Sequence, residues 1–251
     1  MARLDGNTAI VTGATSGIGR GIALGLAEAG ATVAVNYPPF DGESDRAAAV
    51  VNDIEAGGGE AVALEGDVSD PESVEAMAEA FTAELGVPDV VVNNAGIVTQ
   101  SPLAEMSVEM WDDVVDVDLR GVFLVTRAFL PGMLESGGGS VVNVASQLGI
   151  KGAEELVHYS AAKGGVIAFT RALAREVSPD VRVNAIAPGP VETELLGDLS
   201  EEWRAAKEAE LPMGRLGEVS DVVPTAVFLA SDDGAYYTGQ TLSPDGGDAM
   251  H

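Results

Sequence analysis

The feature that most narrows the folds open to this chain is the stretch from Thr8 to Ala27. Thr8-Ala9-Ile10-Val11-Thr12 is a short apolar run of strand type, and Gly13-Ala14-Thr15-Ser16-Gly17-Ile18-Gly19 is a glycine-rich turn. Ile22, Ala23, Leu26 and Ala27 then recur at helical spacing. Strand, glycine turn and helix in that order form the context in which a glycine motif carries information. The glycines permit a tight turn and close approach of the backbone to a pyrophosphate, whose charge sits at the helix N-terminus. A dinucleotide-binding α/β sheet is therefore expected to open here.

The alternation continues along the chain. Strand-like runs lie at 31–36, 60–64, 89–93, 141–145, 181–187 and 240–242, so about seven strands are expected. Helical stretches run from about Ser44 to Ala56, ended by Gly57-Gly58-Gly59, from Trp111 through Leu134, and from Val222 to Ala230. Ser69-Asp70-Pro71-Glu72 opens a further helix with a capping residue and an early proline. No repeat, linker or second domain is visible, so residues 1–251 read as one α/β domain. Between Leu195 and Leu216 acids mix with Leu195, Leu196, Trp203 and Met213, and this insert predicts a substrate lid over about 190–216.

Composition removes several function classes. The chain has no cysteine and two histidines, His158 and His251, which leaves neither a thiolate site nor a His-based metal site to expect. No apolar run reaches the roughly 18 residues of a membrane span, and the first residues lack a signal peptide's apolar region. A cytoplasmic protein without membrane contact is expected. Forty acidic residues against thirteen basic ones give a net charge of −27, which argues against nucleic acid as a partner. Self-repulsion of that size is screened within about 3 Å at 1 M salt, so a cytoplasm of very high salt, as in extreme halophiles, is the expected setting.

Chemistry concentrates between Ser146 and Lys163. Tyr159 and Lys163 are four apart on a predicted helix and so share a face. A phenol titrates near pH ~10, and an adjacent ammonium favours the phenolate, which predicts a general acid/base working near neutrality. Ser146 follows the strand at 141–145, where its hydroxyl can hold a substrate oxygen. Residues at the ends of the other strands face the expected cofactor. Asp67 is placed to accept from an adenine amino group or to cap a turn, and Asn94-Ala95-Gly96 leave room for a ligand. At the end of the second strand an acid would favour NAD and basic neighbours NADP. Tyr37 stands there, Ser16 in the turn is neutral, and Arg20 or Arg46 is within reach of a 2′-phosphate. The reading leans to NADP(H), with NAD(H) open.

Thr12–Gly19 (TGATSGIG), Asn93–Gly96 (NNAG), Ser146 with Tyr159-x-x-x-Lys163, and Pro188–Thr193 (PGPVET) together resemble the short-chain dehydrogenases/reductases, in order and over nearly the whole chain. The resemblance implies a Rossmann-type doubly wound parallel sheet flanked by helices, one nicotinamide dinucleotide and a homotetramer. It implies that Tyr159 is the acid/base, that Lys163 binds the nicotinamide ribose and depresses the tyrosine's pKa, and that Ser146 holds the substrate oxygen. Cofactor contacts are implied at Gly13, Ser16, Gly17, Ile18, Gly19, Tyr37, Asp67, Val68, Asn94, Ala95, Gly96, Tyr159, Lys163, Pro188, Gly189, Val191 and Thr193. Where the family has asparagine in a proton relay, this chain has Asp118.

The overall likeness is to beta-ketoacyl-ACP reductases and sugar 1-dehydrogenases, which implies hydride transfer between a carbonyl and an alcohol. Gln100, Ser146, Gln147, Glu154, His158 and Trp203 are expected to face that substrate. The polar members suit sugar hydroxyls, and the scarcity of basic residues weakens docking of an acidic carrier protein. A dinucleotide-binding regulator without turnover is the alternative of another class. The intact Ser146, Tyr159 and Lys163 argue against it.

Overall fold

The computed structural model describes residues 3–194 and 200–250. Seven strands form one sheet in the order β3-β2-β1-β4-β5-β6-β7, every pair parallel. They are β1 (Thr8–Val11), β2 (Thr32–Tyr37), β3 (Glu60–Glu65), β4 (Val90–Asn93), β5 (Gly139–Val144), β6 (Val181–Ile186) and β7 (Thr241–Leu242). This is the expected Rossmann-type sheet. The order reverses beside β1, between β1 and β4, and ligands of such sheets bind at that switch point, beyond the strands' carboxyl ends.

Because strand side chains alternate, each strand feeds two cores. Val11, Val33, Val35, Val92 and Val142 pack on one face with Ile22, Leu26, Val50, Val222 and Leu229. These come from α1 (Gly17–Glu28), α2 (Glu43–Ala56) and α9 (Val219–Ala230). Ile10, Ala34, Val91, Val141 and Val183 face the other way, onto Met77, Phe81, Phe129 and Leu173. Those belong to α3 (Pro71–Leu85), α5 (Gly121–Ser136) and α7 (Val157–Val177). Continuous Val/Ile runs are what burial on both faces requires.

Helix α3 starts as its sequence suggests, with the Asp70 carboxylate accepting from Glu72 N–H and Pro71 in the first turn. The long helical stretch through Trp111 is interrupted. It divides into α4 (Val108–Val115), a π turn over Asp116–Arg120 and α5. A π turn carries an extra residue per turn and recurs at functional sites; here it contains Asp118, which has no exposed surface. The remaining helices are α6 (Leu148–Lys151) and α8 (Glu201–Glu210). The expected lid thus contains α8, while Leu195 and Leu196 lie outside the described residues.

Candidate active site

The strand–turn–helix at β1 and α1 builds one wall of a cleft of about 1180 Å³. Gly13 (φ +60°) and Gly17 (φ +52°) hold left-handed backbone that a side chain would strain. Ser16, the N-cap of α1, makes no side-chain capping bond, and the first turn of α1 carries no acid although the chain has forty. The helix N-terminus is left to a ligand's negative charge, and the cleft is large enough for a dinucleotide with a substrate. The residues therefore fit a nicotinamide dinucleotide. Gly13, Ser16, Gly17, Ile18 and Gly19 line this end. Asp67 lines it too, with Oδ1 accepting from Ser69 N–H and Oγ–H, so it also serves the turn-capping role.

At the other end β5, α6 and α7 bring three polar side chains together. Gln147 N–H donates to Pro188 O at 3.0 Å, which pins the chain just past β5 to the end of β6 and fixes Ser146. The Ser146 hydroxyl accepts from Leu148 N–H at 3.1 Å, and Ser146 and Tyr159 line the same cleft. One turn along α7, Lys163 Nζ sits 5.7 Å from the centre of the Tyr159 ring. Nζ donates to Val144 O at 3.0 Å and lies 3.1 Å from Asp118 Oδ2. Asp118 Oδ1 accepts from Ile97 N–H at 2.8 Å.

Burial governs the proton affinities here. It pushes Tyr159 above the ordinary phenol value; Lys163 and Ser146 pull it down, and the Asp118 charge adds to the rise. The ammonium thus acts in the direction the sequence suggests, but burial outweighs it. Burial also lifts Asp118 above the carboxylate range, against the pull of Lys163 and the Ile97 N–H. For Lys163 burial works downward, and Asp118 and Tyr159 more than restore it. The 3.1 Å contact keeps the lysine an ammonium.

Of the residues singled out in the sequence, Gly13, Ser16, Gly17, Ile18, Gly19, Asp67, Val68, Asn94, Ala95, Gly96, Asp118, Ser146, Tyr159, Lys163, Pro188, Gly189, Val191 and Thr193 line the cleft. Gln100, Gln147, Glu154 and Trp203 line it at the Tyr159 end. Two do not. His158 has no exposed surface and pairs its Nε2 with Thr99 Oγ1 at 2.8 Å, because its position in α7 turns it away from the cleft lined by Tyr159. Tyr37 packs into the core shared by α1, α2 and α9, since strand alternation sends its ring opposite to Asn36, which does line the cleft.

Sequence reasoning missed Thr15, Pro38, Phe40, Glu43, Lys151 and Lys207, all in the lining. A compositional signal marked the lysines. The chain has only three, Lys151, Lys163 and Lys207, and all three line this cleft. Lys151 and Lys207 share Asp248, at 2.7 and 2.9 Å.

The profile of a family described as enoyl-(acyl carrier protein) reductase matches residues 13–248. The 3-oxoacyl-[acyl-carrier-protein] reductase of Staphylococcus aureus is 42% identical over 96% of this chain and 97% of its own. The chain belongs to the short-chain dehydrogenase/reductase family. The same-named reductase of Vibrio cholerae is 42% identical over 97% of this chain and 98% of its own. Among solved structures, a gluconate 5-dehydrogenase from Burkholderia cenocepacia in complex with NADP and tartrate superposes with a TM-score of 0.92 at 34% identity, covering 98% of this chain and 96% of that one. As a short-chain dehydrogenase/reductase the protein is an NAD(P)-dependent oxidoreductase, similar to the 3-oxoacyl reductases. Among the described residues no helix is long and apolar enough to cross a membrane, and no acid or histidine cluster suits a metal ion.

Proposed function

We propose that the protein interconverts a ketone and a secondary alcohol, with a 3-oxoacyl thioester as the ketone. The observation that carries this reading is that Ser146 and Tyr159 line the same cleft as the glycine turn, with the Lys163 ammonium 5.7 Å from the phenol ring centre. A nicotinamide held by the glycine turn would supply or accept a hydride at the carbonyl carbon. Ser146 and Tyr159 donate hydrogen bonds to the carbonyl oxygen, and Tyr159 O–H gives its proton as the oxygen becomes an alkoxide. Lys163 stabilises the phenolate left behind, and Asp118 and Val144 O hold Lys163 in place. Asn94, Ala95 and Gly96 would border the cofactor, and Val191 and Thr193, which also line the cleft, would hold its nicotinamide part, as the resemblance implies.

A second reading, oxidation of a sugar or sugar acid, draws on the polar lining around Gln147 and Glu154 and on the likeness to the gluconate dehydrogenase. The sequence lean to NADP(H) draws support from the NADP in that structure, and the Glu43 carboxylate, which accepts from Thr15 of the turn and lines the cleft, weighs against it. The resemblance supports a homotetramer, and the net charge supports a salt-rich cytoplasm.

Absorbance at the reduced-nicotinamide band in molar KCl tests the reading, with acetoacetyl-CoA, simple ketones and aldoses and both cofactors. Rapid ketone reduction that falls by at least about a thousandfold in Tyr159→Phe, with cofactor binding retained, is the expected outcome. Aldose oxidation with inert ketones would move the assignment to the sugar reading. Tight cofactor binding with no turnover anywhere would sink both.

A further inference from the structure

We infer that Glu43 makes this cleft selective for the unphosphorylated dinucleotide, NAD(H). In dinucleotide sheets an acid meets the adenosine ribose 2′-hydroxyl, whereas an arginine accommodates a 2′-phosphate. Position 37, where that acid is usually sought, holds Tyr37, whose ring packs into the core. The structure brings an acid to the same end of the cleft by another route, from the first residue of α2.

Four observations place it. Glu43 lines the cleft together with Thr15 of the glycine turn and with Pro38 and Phe40 of the β2–α2 connection. Thr15 Oγ1 donates to Glu43 Oε2 at 2.6 Å, and the Glu43 side chain is only 20% exposed, so the carboxylate is held against the turn. The N-terminus of α2, which would otherwise attract a phosphate, already carries Glu43 and Asp45 in its first turn. Among the described residues no cationic side chain lines this end. Arg20 is committed to Asp53 at 2.7 Å, and Arg46 to Glu194 at 3.2 Å with Glu43 at 3.7 Å; neither arginine lines the cleft. The lysines that do line it, Lys151, Lys163 and Lys207, all lie on the elements of the Tyr159 end. A 2′-phosphate would thus meet Glu43 and Asp67, with Arg46 beside it already paired to Glu43 and Glu194, whereas a 2′-hydroxyl can donate to the Glu43 carboxylate.

The test reads binding, so it does not depend on the proposed reaction. Dissociation constants for NADH and NADPH are measured by nicotinamide fluorescence in molar KCl, with folding checked by circular dichroism. Wild type is expected to hold NADH at least about tenfold tighter than NADPH. Glu43→Gln, which keeps a partner for Thr15, is expected to cut that ratio about tenfold, chiefly by tightening NADPH. Asp45→Asn removes the same charge from the same helix turn at an exposed position outside the cleft lining. It is expected to leave the ratio unchanged. Wild type binding NADPH as tightly as NADH overturns the inference without any variant being needed. So does a ratio that Glu43→Gln leaves intact, or one that both substitutions shift equally. Selective binding of NADH by a protein inert toward every ketone and sugar would sink the proposed reaction and leave this inference standing.

Discussion

Asp118 and Lys163 face each other at 3.1 Å with almost no access to water, and both act on Tyr159. Their effects have opposite sign. The Asp118 charge raises the phenol's pKa, so Asp118→Asn should lower it. Alcohol oxidation needs the phenolate, and its rate climbs as pH passes through that pKa; the climb should therefore begin at lower pH in Asp118→Asn, with turnover retained. Lys163→Met removes the opposing ammonium and should push the climb to higher pH while cutting turnover by orders of magnitude. A pH–rate profile of oxidation for the three proteins checks both signs. Profiles that coincide would mean that neither charge reaches the phenol. An asparagine donates as well as accepts, which an ionised aspartate cannot, so a collapse of turnover in Asp118→Asn would show that the ion pair itself positions Lys163.

Between elements, the site depends on how closely α6 lies on α7. At Gly149 an added Cβ would come within 2.6 Å of the Lys163 carbonyl carbon and 2.7 Å of Gly164 N. These are backbone atoms, so one helix must move. Gly149→Ala should cost activity by at least about tenfold while leaving NADH binding near wild type, because it separates Ser146 from Tyr159 and spares the glycine turn. The substrate end has a second tie. Asp248 accepts from Lys207 on α8 and pairs with Lys151 on α6, and Asp245 caps Gly247 and Ala249 N–H to shape the tail that carries it. Burial works against ionisation of Asp248, but the two lysines hold its carboxyl below the ordinary value. Its stabilising effect is thus present above the unfolded carboxylate pKa and lost as pH falls through the lower folded one. Asp248→Asn should raise KM for the carbonyl substrate more than it changes cofactor affinity. Equal KM values would show that this tie does not shape the substrate end.

Over the whole molecule the surplus of acid dominates. Several surface arginines are paired, as in Arg3–Asp233, Arg204–Glu192 and Arg215–Asp221, but such pairs contribute only about 0–1 kcal/mol each. Asp221, gripped by Arg215 and by Glu218 N–H, is drawn down to about 2 and stays charged through all but strong acid. Repulsion among the remaining carboxylates reaches about 10 Å at 0.1 M salt and about 3 Å at 1 M. The melting temperature should therefore rise by several degrees over that range of KCl. A flat or falling curve would remove the argument for a salt-rich cytoplasm.

The local rules written into the sequence determined the seven strands, the glycine turn, the capped start of α3 and the pairing of Tyr159 with Lys163. Period-2 and period-3.6 patterns and turn chemistry act within a few residues, and they held because strand burial on both faces left them no competitor. Which side chains reach the cleft was decided by tertiary structure. His158 is adjacent to Tyr159 in sequence, yet α7 turns it into the protein against Thr99. Tyr37 and Asn36 part company because a strand alternates its faces. Glu43 and Thr15 lie 28 residues apart and meet only because β2 runs beside β1 and returns through α2. The break of the long helix into a π turn, which carries Asp118 to Lys163, depends on packing across three helices. Contacts of that kind arise from the docking of elements distant in sequence, and no local pattern encodes them.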